Sequence, residues 1–140
     1  MWRFSSVFRP SLWLLATAAL SVVFPVHAIN EGMRKRFELA EKNIHKLTET
    51  QAKKVLKEMQ AYPLQPYLEQ RRLQQFLTAD DRIADFLLRY QGSPLDWPLR
   101  KPWLLDLARR NQAGRYLAHY ADSNDAELAC YALRFQLANK

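Results

Sequence analysis

Glycine is scarce in this chain, with three among 140 residues. That scarcity leaves no glycine-rich loop to cradle a phosphate. Cysteine is scarcer still. Cys130 stands alone, which excludes a CxxC redox pair and an internal disulfide. A lone thiol in an exported chain pairs outside the visible sequence or serves as a small buried apolar residue, and the residues leave both open. Histidine is also rare. Beyond the first 28 residues only His45 and His119 remain, in separate helical stretches, and neither has a second His or a Cys one helical turn away. No metal, cofactor or catalytic residue is expected from such a set. A G-x-S-x-G nucleophile elbow is missing as well.

Long apolar runs are missing too. The longest, Leu12 to Phe24, spans 13 residues, too short for a comfortable membrane crossing. Arg3 and Arg9 precede it, Pro25 breaks it, and Val26 and Ala28 stand where a signal peptidase reads. Residues 1–28 therefore read as a secretory signal peptide cleaved after Ala28, with an uncleaved N-terminal anchor as the alternative. Export leaves no stable membrane anchor and makes nucleic acid an unexpected partner. The formal charge of the whole chain is +7, from 21 basic and 14 acidic residues. Two of the basic residues go with the signal, so residues 29–140 carry +5. A basic exported protein favours anionic surroundings, such as a wall polymer or lipid headgroups.

What is abundant is Leu, Ala, Arg, Lys and Gln, the better helix formers, and the composition predicts an all-α protein. The spacing agrees. Met33, Phe37, Ala40, Ile44 and Leu47 fall on one helical face. Thr48 and Gln51 fit a capping box before a second helix with Ala52, Val55, Leu56 and Met59 inward. Pro63 stops that helix by Ala61, and Pro66 suits the first turn of a third helix, about Pro66 to Leu77. The third helix has apolar residues all round, so contact on more than one side is expected.

Thr78 and Asp81 fit a cap for the fourth helix, with Ile83, Phe86, Leu87 and Tyr90 inward and Gly92 as its terminating glycine. Ser93 to Trp103, with three prolines, reads as a loop-like link. A fifth helix follows with Trp103, Leu104, Leu107 and Ala108 inward. A sixth uses Ala113, Tyr116, Leu117 and Tyr120. The seventh starts after residues 121–125 and uses Leu128, Tyr131, Ala132 and Phe135. Short connectors imply successive antiparallel helix pairs, an α-solenoid without a clean 34-residue repeat. No capping helix follows Phe135, so a longer parent protein is expected.

Charged residues offer little chemistry. Asp80, Asp81 and Asp85 sit in a helix's first turns, where acids complement the helix dipole. Lys53, Lys54 and Lys57, Arg71 and Arg72, and Arg109 and Arg110 read as solvated faces, with a concave basic wall as the alternative.

Three stretches carry a resemblance. Y-P-L-Q-P-Y-L-E (Tyr62–Glu69), D-L-A-R-R-N-Q-A-G-R-Y-L-A-H-Y (Asp106–Tyr120) and A-E-L-A-C-Y-A-L-R-F (Ala126–Phe135) resemble the amino-terminal region of soluble lytic murein transglycosylases. Ala113 or Gly114 stands where that family often has Trp. The resemblance covers nearly all of residues 29–140. It implies a periplasmic location and the first part of a right-handed, U-shaped α-superhelix. It implies a parent that cleaves peptidoglycan between N-acetylmuramic acid and N-acetylglucosamine, leaving 1,6-anhydro ends, in cell-wall turnover. The family's catalytic Glu lies in a lysozyme-like C-terminal domain, within an E-S motif. No Glu here is followed by Ser, so the segment is expected to be non-catalytic, with peptidoglycan as partner through the parent. Cys130 falls on the family's cysteine, which implies a disulfide to a residue beyond the chain end. The alternative is a complete exported helical scaffold or adaptor that binds the wall or other proteins.

Overall fold

The computed structural model describes residues 31–121 and 124–138; the proposed signal peptide lies outside them. Among the described residues the chain is all-helical: α1 (Glu31–Asn43), α2 (Glu49–Glu58), α3 (Gln65–Leu73), α4 (Asp80–Arg89), α5 (Asp96–Arg109), α6 (Ala113–His119) and α7 (Ala126–Ala138).

The helix starts show which local signals held. Thr48 caps α2 as expected: its side chain accepts from Gln51 N–H, and the Gln51 side chain accepts from Thr48 N–H at 2.9 Å. Pro66 lies in the first turn of α3, where its missing N–H costs no helical bond. Gly92 takes φ +72°, a left-handed conformation that closes the turn after α4. The Thr78–Asp81 cap does not form. α4 begins after Ala79 without a side-chain cap, and α3 ends at Leu73, four residues short of Leu77, in a chain of tight turns.

The largest correction concerns Ser93 to Trp103. Only residues 93–95 form a turn; from Asp96 the stretch is helix, because α5 starts there and runs through Pro98 and Pro102. Pro98 falls in the first turn, where N–H groups have no intrahelical acceptor. Pro102 cannot donate to the carbonyl of Pro98, one turn earlier. That carbonyl instead accepts from the Gln74 amide at 3.0 Å. A side chain of α3 thus repairs the bond that Pro102 removes.

The helix pairs repeat. Thirty-one residues separate the starts of α2 and α4, their ends, and the starts of α3 and α5. The turn hydrogen bonds repeat with them. Met59 N–H donates to Val55, Tyr62 to Met59 and Gln65 to Tyr62; one step later Tyr90 donates to Phe86, Ser93 to Tyr90 and Asp96 to Ser93. Pro63-Leu64 and Pro94-Leu95 sit at the same place in each turn.

Side chains follow the same step. Glu49 begins α2 and lies 3.5 Å from Arg72; Asp80 begins α4 and accepts from the indole N–H of Trp103 at 2.8 Å. Each acid is approached from the following pair, Glu49 by Arg82 at 2.6 Å and Asp80 by Arg115 at 4.0 Å.

α3 and α5 carry the contacts onward. α3 packs on α1, α2 and α4, and α5 packs on α4, α6 and α7. Residues 69 and 70 of α3 reach the next pair: Glu69 pairs with Arg89 at 2.7 Å, and the buried Gln70 amide donates to the Leu95 carbonyl at 2.7 Å. The matching residues of α5 do likewise. Arg100 donates to the His119 carbonyl at 3.0 Å and Lys101 to Asp125 at 2.5 Å. Asp125 also accepts from Leu128 N–H, which caps α7. Arg72, expected on a solvated face, is 3% exposed; it donates to the Ile44 carbonyl and lies over the Phe76 ring at 4.3 Å.

The core divides unevenly. The larger cluster runs from Leu73 to Phe135 and centres on Phe86, Leu99, Trp103, Leu107 and Tyr116. The smaller holds Phe37, Met59, Tyr62 and Leu68.

Candidate functional site

A concavity of mixed polarity lies between α4, α5 and the end of α6. It encloses about 340 Å³ and is lined by Asp85 and Leu88 of α4, by Gln91 in the turn after it, by Arg100, and by His119 and Tyr120. The i, i+3, i+4 pattern that buries Ile83, Phe86 and Leu87 turns Asp85 and Leu88 outward to this cleft.

One side is held rigidly. The Asp96 carboxylate accepts from Arg100 Nε at 2.6 Å and from a terminal Arg100 nitrogen at 3.1 Å, and it also accepts from Gly92 N–H at 3.1 Å. Arg100 then reaches the His119 carbonyl. The His119 ring lies 4.9 Å from the Trp103 ring, tilted by 55°. Burial first, then the positive Arg100 and Arg115, push the His119 pKa below the usual histidine range. The imidazole is therefore neutral at pH 7 and offers one donor and one acceptor.

Behind the cleft, Asp80 anchors a second network. It accepts from Arg110 at 2.7 and 3.0 Å and from Trp103, while Arg110 Nε donates to Asp106 at 2.7 Å. Arg110 foremost, against the opposing effect of burial, and then Trp103 hold the Asp80 carboxyl below its ordinary range. Burial also opposes ionisation of Glu49, yet Arg82 and Lys53 hold it low. The Tyr116 hydroxyl, pushed up to about 12 chiefly by burial, donates to the Leu128 carbonyl at 2.7 Å.

The cleft lining offers a small polar molecule the Asp85 carboxylate, the Gln91 amide and the His119 imidazole. A general acid needs a carboxyl raised toward neutral pH, often by burial or a second acid. The lining has one carboxyl, Asp85, and the networked acids Asp80 and Glu49 are shifted the other way. Among the described residues no group of three His, Cys, Asp or Glu could hold a metal ion.

The residues singled out from the sequence scatter. His45 is exposed beyond α1, far in sequence from His119, and Asp81 is exposed and pairs with Arg115. Cys130 is an exposed free thiol on α7, beside Glu127, Tyr131 and Arg134. Sequence reasoning missed the Asp96–Arg100 pair, although acid and base four apart are a helical signal. The surrounding prolines hid the helix that makes the spacing meaningful.

Comparison with family models, with curated proteins and with solved structures finds no match to this chain.

Proposed function

We propose that residues 29–140 form the opening arm of a periplasmic protein similar to the soluble lytic murein transglycosylases, a scaffold without catalytic residues of its own. The motifs at Tyr62–Glu69, Asp106–Tyr120 and Ala126–Phe135 support the reading. The structural observation that carries it is the 31-residue repetition of helix pairs. Pairs that advance by a fixed step, each handing contacts to the next, are the unit from which an α-superhelix is built.

In this reading the parent cleaves peptidoglycan to 1,6-anhydro products, and the arm shapes the approach of the murein strand. The +5 charge of residues 29–140 favours an anionic wall. The downward-shifted Asp80 and Glu49 serve as ionic anchors between helices rather than as proton donors.

The coding sequence beyond codon 140 tests the parentage. A continuing frame with more helix pairs and a lysozyme-like domain is expected, and a stop with no such frame overturns it. Incubation of this chain with purified murein tests the division of labour: no anhydro-muropeptides are expected, and their release would locate catalysis in the arm.

A further inference from the structure

α1 and α2 leave a cleft between them. Both pack on α3, and their side chains meet in the small cluster around Phe37 and Met59. Between them is an apolar groove of about 290 Å³, lined by Leu39, Ala40, Leu47 and Val55 and flanked by Arg36 of α1 and Glu58 of α2. One repeat later the Val55 position is Phe86, fully buried. Leu39 stands at the lip, 62% exposed.

We propose that this groove is the interface of a two-fold dimer of the chain, with Leu39 of each copy seated in the other's groove. Charge selects a second copy as the occupant. One wall carries a cation and the other an anion, so a two-fold axis along the groove sets Arg36 of each copy against Glu58 of its mate. Arg36 has no ion pair among the described residues, and Glu58 has only the exposed Lys54 at 4.0 Å. Two helix pairs meeting at such grooves form a four-helix packing, in which apolar side chains interdigitate. The proposal is independent of the wall-enzyme reading.

Sedimentation velocity of the full chain over a wide concentration range tests it, with far-UV circular dichroism as the check on folding. A reversible monomer–dimer equilibrium is expected. Leu39→Glu, at an exposed position, raises the dissociation constant by at least about tenfold. Val55→Phe fills the groove from within and does the same while the helical signal persists. Arg36→Glu and Glu58→Arg each weaken the dimer, and the double variant recovers it, because a two-fold axis remakes both pairs. A monomer at every concentration overturns the proposal, as does a dimer indifferent to Leu39→Glu. A double variant no better than the singles also overturns it. So does a monomer whose groove takes up an apolar dye.

Discussion

The two helix pairs α2–α3 and α4–α5 share one backbone plan and differ in what fills it. Position by position, Ala52 becomes Ile83, Val55 becomes Phe86, and Met59 becomes Tyr90. The second pair closes into a core in which Ile83 and Phe86 are fully buried. The first leaves Val55 and Leu56 half-buried beside an open groove. Turn geometry is thus set by proline placement and backbone bonds, while closure of the core is set by side-chain volume. A repeat can be kept in the chain path and lost in the packing, because interiors tolerate little mismatch in volume.

The strongest way to break the comparison is to hollow both pairs at one position. Phe86→Ala should cost about 3–5 kcal/mol, measured by urea unfolding, and Val55→Ala about 1 kcal/mol. Equal losses would mean that the two clusters do not differ as their burial says.

The paired acids come next. Asp80→Ala strands the Trp103 indole N–H and should cost ~1–3 kcal/mol, whereas Glu49→Ala, whose partners Arg82 and Lys53 are solvated and whose buried partner Arg72 keeps its bond to the Ile44 carbonyl, should cost about 1 kcal/mol. The folded pKa of Asp80 is depressed, so its contribution is present above the unfolded carboxylate pKa of about 3.9 and is lost as pH falls through the folded value. The gap in melting temperature between the native chain and Asp80→Ala should stay level from pH 7 to 5 and shrink below about pH 4. A gap that widened in acid would reverse the assigned sign.

Links between pairs are tested by Gln70→Ala, which leaves the Leu95 carbonyl without its amide donor, at ~1–3 kcal/mol. Amide exchange should quicken at the start of α5 more than in α2. The smallest effect is a gain. At concentrations where the chain is monomeric, Val55→Phe should add up to about 1 kcal/mol by burying apolar surface in the groove, and no gain there would show that the groove cannot close.

Much of the helical order was legible beforehand. Thr48 and Gln51 form a local cap, and local bonds need only neighbours in sequence. Most buried positions of α4 to α7 followed from period alone, since one face of a helix must leave water, but Asp96 and Leu99 of α5 did not. The candidate site was far less legible. His119, Arg100 and Asp85 come from three helices, and no spacing in the chain foretells their meeting. The start of α5 was misread for a related reason. Three prolines argue locally against helix, and the compensating donor, Gln74, comes from another helix.

The sequence by itself determined that the chain is helical, where most helices turn, and which faces are apolar. Those choices depend on intrinsic propensity and on residues within a turn or two of each other. Tertiary structure alone decided that Pro102 could lie inside a helix, that Arg72 is buried, and that two pairs with one backbone plan close differently. The first two depend on atoms brought together across 24 and 28 residues of chain, and hydrogen-bond completion and volume are settled only where atoms from separate helices meet.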